Sequence, residues 1–145
     1  MITVRRRILT TTMLLSVAGI GVSSISLYHH YGTSKSSYCD FGENFNCDMV
    51  NRSIYSEVAG VPVALIGVLG YCGLLSLAIF YRKGRGAPFF LLMASLAGLA
   101  FAVYLTYIEG FVLAVWCVLC LSSLGLISAI TVLSGVLVMY SKAAR

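Results

Sequence analysis

Four stretches without a single charged residue, Ile8 to Tyr28, Val61 to Phe80, Phe89 to Ile108 and Phe111 to Tyr140, make up most of this 145-residue chain. Each reaches the roughly 20 residues that an α-helix needs to cross a hydrocarbon layer about 30 Å thick. An open sheet in lipid would leave its edge N–H and C=O groups unpaired, so helices are the elements these stretches can form. With 59% hydrophobic and only 10% charged residues, the chain has more apolar surface than a soluble domain of this size can bury. The expectation is an all-α integral membrane protein, a single four-helix bundle over residues 1–145. The last stretch is the longest and must tilt, or run beyond the apolar layer at one end.

The connections are short, with one exception. Tyr81 to Pro88 is a basic turn punctuated by glycine and proline, and Glu109-Gly110 reads as a minimal turn between the third and fourth spans. Pro62 suits the first turn of the second span, where its missing N–H costs nothing. Residues 29–60 form the sizeable polar loop, with His29 and His30 expected to be solvated at the end of the first span.

Charge orients the bundle. Arg5, Arg6 and Arg7 precede the first span, Arg82, Lys83 and Arg85 fill the basic turn, and Lys142 and Arg145 follow the fourth. Four crossings bring these clusters to one side, the cytoplasmic one by the positive-inside rule. Lys35, Arg52 and every acidic residue (Asp40, Glu43, Asp48, Glu57 and Glu109) fall on the other. Both termini are therefore expected inside, with the loop and the start of the fourth span extracytoplasmic. A net charge of +5 is compatible with nucleic-acid binding, but the charges cluster between spans instead of forming a basic stripe, so lipid and not nucleic acid is the implied partner. An arginine cluster before an apolar run also resembles a signal peptide. This run is longer than a usual signal core and has no clear small-x-small cleavage site, so it reads as a retained span.

Five cysteines carry the chemistry. Cys117 and Cys120 form a C-x-x-C at the outer end of the fourth span; three apart, they share a helix face and are close enough for a redox disulfide. The helix N-terminus there favours thiolate at the first of them. Two buried structural thiols are the alternative. Cys39 and Cys47 lie in the loop. Bonded to each other, they would stabilise the fold by about 2.5 kcal/mol through loop closure, which is their purely structural role. Four cysteines allow three pairings, and a relay would use more than one, because thiol–disulfide exchange runs through mixed disulfides. A four-cysteine zinc site fits poorly, since the loop lacks a short C-x-x-C knuckle, and no metal is expected. Cys72, in the second span, is expected to be inert packing in mid-membrane.

The loop reads Cys39-Asp40-x-Gly42, Cys47-x-x-Val50-x-x-Ser53, followed by GVPVALIG at the second span and WCVLC at the fourth. This combination resembles the vitamin K epoxide reductase family, including its bacterial and archaeal members, over nearly the whole chain. The resemblance implies that Cys39 exchanges with a partner, Cys47 relays to Cys117, Cys120 faces a quinone, and Ser53 helps position the redox site. Asp40 and Gly42 match the loop pattern as structural residues. No thioredoxin-like domain accompanies the spans, so a separate extracytoplasmic thioredoxin-fold partner is implied.

Leu124 stands where animal members carry a tyrosine, and no asparagine opens the second span. Quinone reduction coupled to disulfide formation therefore fits better than epoxide reduction, with a ubiquinone, menaquinone or vitamin K type as acceptor. Trp116, beside Cys117, is the best aromatic candidate for quinone contact. Tyr104, Tyr107 and Phe111 read more simply as an interfacial belt. The loop is expected to close over the bundle as a lid. The alternatives are vitamin K epoxide reduction proper and a non-enzymatic membrane protein stapled by one disulfide.

Overall fold

A computed structural model describes residues 2–33, 39, 42–83 and 88–144. Lys35, Asp40, Arg85 and Arg145 lie outside the described residues. The long helices are α1 (Ile2–Tyr31), α3 (Val63–Arg82), α4 (Pro88–Ile108) and α5 (Val118–Ala143), with a short α2 (Cys47–Asn51) in the loop. All four are long and apolar enough to cross a membrane, and together they make a multi-pass membrane bundle.

The bundle packs α1 against α3 and α5, and α4 against α5. Its inner surface is built from small and hydroxyl residues. Thr12, Ser16, Ser23 and Ser26 of α1 are buried, and Ser16 Oγ donates to the Thr12 carbonyl at 2.8 Å, so the hydroxyl is satisfied within its own helix. Such residues let helix backbones approach closely where no hydrophobic effect drives association. Leu9, Tyr71, Leu74, Leu91, Ile127 and Ile130 form the core. Leu14, Leu69, Phe90, Val132 and Met139 are exposed on the outside, the arrangement expected for a lipid solvent.

Arg5 ties one end together. Its guanidinium donates to the Tyr81 carbonyl at 3.0 Å and lies 4.5 Å from the centre of the Tyr81 ring. In mid-bundle the closest approach is at Gly19, where a Cβ would lie 2.4 Å from the Tyr71 ring. That ring cannot swing aside freely, because the Tyr71 hydroxyl is held by the Ser123 carbonyl and Oγ, both at 2.9 Å. Gly19→Ala is therefore expected to destabilise the bundle by about 1–3 kcal/mol through overpacking. Thermal unfolding of the purified protein measures this; an unchanged midpoint would mean that the α1–α3 contact has slack.

The spans differ from their expected limits in two places. The first helix begins at Ile2 and runs to Tyr31, beyond its apolar core. The reversal after α4 is displaced, because Glu109 and Gly110 do not turn the chain. They open a π-helical turn (Glu109–Leu113) that prolongs α4, and the chain reverses only at residues 114–117, where Ala114 adopts a left-handed conformation (φ 53°). The polar loop is also structured. After α2 comes a 3-10 turn (Ile54–Ser56), then a minimal hairpin of β1 (Glu57–Val58) and β2 (Val61–Pro62). Its two linking residues, Ala59 and Gly60, both have positive φ, the twist that a two-residue hairpin requires and glycine readily supplies.

Candidate functional site

The loop sits on one end of the bundle because α2 is pinned from both sides. Asn46 caps α2 by accepting the Met49 N–H at 2.9 Å. On the α1 side, Ser26 Oγ donates to Asn51 Oδ1 at 2.7 Å, and His30 Nδ1 meets the Asn51 carbonyl at 2.6 Å. His29 lies 3.6 Å from Asp48, and His30 Nε2 lies 3.2 Å from Glu57. The expectation of solvated histidines is thus corrected: His29 is buried, and His30 is part of the seam between helix and loop. Packing of α2 over the end of α1 buries His29 and leaves His30 only partly exposed.

On the α5 side the loop pairs with the chain just before the helix. Trp116 N–H donates to the Asn44 carbonyl at 2.9 Å, and Asn46 N–H donates to the Trp116 carbonyl at 3.2 Å. This short parallel bridge, centred on Phe45 and Trp116, sets Cys47 and Cys117 each one or two residues beyond a paired position. Cys39, Cys47, Val50, Val115 and Cys117 form one buried cluster, and Cys120 packs against it. Cys39 and Cys47 are bonded to each other, with their Cα atoms 5.7 Å apart, while Cys117 and Cys120 are thiols. The four sulfurs singled out in the sequence therefore meet in one place.

Cys117 is not inside the helix, as its spacing suggested. It is the extended N-cap of α5, and the helix starts at Val118. The Cys120 thiol hydrogen-bonds to the Cys117 sulfur and holds the Cys117 thiol below the usual range, against the opposing effects of burial and of Glu109. The expected direction stands, but its leading cause is the neighbouring thiol instead of the helix terminus. Cys72, expected inside, is exposed on the outer face of α3.

Below the cluster lies a cavity of about 520 Å³ between α1, α3, α4 and α5. Its deep walls are apolar, from residues such as Leu74, Phe101, Leu105 and Ile127. Polar residues near the loop include His30, Asn51, Ser53, Ser56, Glu109 and Cys120, while Tyr71 and Ser123 place hydroxyls in the wall farther down the bundle. Size and lining suit an apolar ligand with a polar head. Asn51 strengthens that match, because it is buried in the cavity wall and its Nδ2 has no hydrogen-bond partner among the described residues. Ser53 also lines the cavity, and its Oγ donates to the Val50 carbonyl at 2.8 Å, closing the end of α2.

Trp116 does not join them. It is not among the cavity's lining residues; its ring lies over Gly110, where a Cβ would stand 2.8 Å from it. Tyr104, Tyr107 and Phe111 point away and are exposed. Sequence reasoning missed Asn51 and Glu109. Glu109 is almost wholly buried, at 2% exposure. Its signal was present, since it is the sole acidic residue after Glu57 and stands eight positions before Cys117.

The sequence model described as the Vitamin K epoxide reductase family matches residues 10–135, which include all four of these cysteines and Ser53.

Proposed function

The chain belongs to the vitamin K epoxide reductase family, a family of membrane redox enzymes, and from that premise we propose that it passes electron pairs from an extracytoplasmic thioredoxin-fold dithiol to a quinone, supporting disulfide-bond formation. The observation that carries this reading is the convergence of the loop pair and the C-x-x-C at the mouth of an apolar cavity. Cys39 exchanges with the partner's dithiol, Cys47 relays to Cys117, and Cys120 faces the acceptor. Of the four sulfurs only that of Cys120 belongs to the cavity wall. The low Cys117 pKa favours its part in exchange, since a better leaving thiolate departs faster.

The cavity residues fit a quinone. Asn51 offers an unused amide donor, Ser53 and Cys120 flank it, and the apolar walls suit a ring and chain. When bound, a quinone supplies a sink for two electrons and two protons. Charge supports the orientation in this reading: Arg5, Arg82, Lys83 and Lys142 stand at the end of the bundle remote from the cysteines, as the positive-inside rule expects for an extracytoplasmic redox site. Cys39 and Cys47 are both buried, so exchange with a protein partner requires the loop to lift. Among the described residues, the bonds that tie this part of the loop to the chain before α5 are the two between Asn44, Asn46 and Trp116, and they must break for it to lift. The loop acts as the lid in this reading.

The test is quinol formation by the purified protein in liposomes, with a reduced thioredoxin-fold protein as donor and a ubiquinone or menaquinone analogue as acceptor. One quinol is expected per dithiol oxidised. Dithiol oxidation without quinol, or neither, would overturn the proposal.

A further inference from the structure

Glu109 is a carboxyl group buried in a membrane protein, where an unpaired charge is costly and is retained only with partners or a task. Its partners are specific. Oε2 accepts the Cys117 N–H at 3.2 Å, and the carboxyl group hydrogen-bonds with the Cys120 thiol. Its main-chain carbonyl accepts the Val115 N–H at 3.2 Å, so Glu109 holds the reversal before α5 from both its backbone and its side chain. The π-helical turn that it opens is the local irregularity that puts it there; such turns recur at functional sites. It also lines the cavity.

We propose that Glu109 is the proton carrier of the C-x-x-C pair: its carboxylate takes the proton of the Cys120 thiol and delivers it to the acceptor in the cavity. This rests on the quinone-reducing function proposed above. Oxidation of the pair makes one S–S bond between Cys117 and Cys120 and releases two electrons and two protons. Conversion of a quinone to its quinol takes up both. The Cys120 proton passes directly to the carboxylate and the Cys117 proton reaches it by way of the Cys120 sulfur, to which Cys117 is hydrogen-bonded; after both are delivered the carboxylate ends the cycle ionised as it began.

The other titratable groups on the cavity are engaged elsewhere or stand off. His30 of α1 is held by the Asn51 carbonyl and Glu57, and the Tyr71 hydroxyl of α3 is held by Ser123. Tyr55, in the 3-10 turn, is exposed. Glu109 is the carboxyl group in contact with both cysteines of the motif.

Glu109→Gln separates this role from a structural one, because the amide oxygen can still accept the Cys117 N–H while the side chain can no longer take a proton. In a single turnover of pre-reduced protein with a quinone analogue, the variant is expected to form quinol about a hundredfold more slowly. Its rate should rise with pH where the wild type is flat. Glu109→Asp, which keeps the carboxylate, is expected to recover part of the rate.

A second readout needs no quinone. Removing the negative charge beside Cys117 should shift the pH profile of its alkylation by iodoacetamide, followed by peptide mass spectrometry, to lower pH. An unchanged alkylation profile would show that Glu109 does not act on the sulfurs. Equal single-turnover rates with parallel pH profiles would show that it carries no proton. Either result overturns this proposal and leaves the quinone-reducing function standing. A wild-type protein that forms no quinol from a reduced C-x-x-C overturns both.

Discussion

Cys120→Ser is expected to abolish quinol formation, with a loss on the order of 10³-fold or more, because a serine hydroxyl can neither act as a thiolate nor close a disulfide. The geometry makes this the sharpest single substitution. Of the four clustered cysteines only Cys120 lines the cavity, and it also supports the Cys117 thiolate by a hydrogen bond. Serine is close in size, so the helix start and the loop bridge should survive, and the Cys39–Cys47 bond should still form. Thermal unfolding and mass-spectrometric counting of the remaining disulfide check that the loss is chemical and not structural. Cys72→Ser is the control: Cys72 is exposed on the outer face of α3 and should be silent. Turnover in Cys120→Ser near the wild-type rate would remove the acceptor-facing role assigned to this residue.

The second large effect should separate the two halves of the relay. Cys47→Ser should stop quinol formation driven by a reduced thioredoxin-fold protein, by a similar factor, because no loop disulfide remains for the partner to reduce. A small dithiol that reaches Cys117 and Cys120 directly should still drive the reaction. Loss of the loop closure should also lower stability, by about 2.5 kcal/mol on the chain-entropy estimate. The variant must therefore be assayed below its own unfolding temperature. If the protein donor works as well as before, the loop pair is a staple and electrons enter elsewhere. If neither donor works, Cys47 is needed for the integrity of the buried cluster more than for relay.

How much of this was legible before any fold was known follows from the range over which each feature is encoded. The four spans could be read because crossing lipid demands an uninterrupted apolar run, a local property of the sequence. The clustered cysteines could be singled out because C-x-x-C spacing and the loop pattern are local too. Glu109 could not be assigned, since an acid before a short linker looks like a turn. Only the π-helical continuation of α4 turns it toward Cys117 and Cys120. His29 and His30 looked solvated because their neighbours in sequence are polar, and it is α2, some twenty residues later, that covers them. Trp116 adjoins Cys117 in sequence, yet its ring lies over Gly110, because the bridge to Phe45 fixes its backbone.

The amino-acid order by itself therefore determined the class of the molecule, its helices, its basic end and the two cysteine pairs to look for. Each of these depends on composition within a window no longer than one helix. The meeting of the two cysteine pairs, the carboxyl group beside them and the cavity below were decided by the tertiary structure. They rest on hydrogen bonds and packing between segments about seventy residues apart, such as Asn44 to Trp116, and no local periodicity records which distant backbone a loop will pair with.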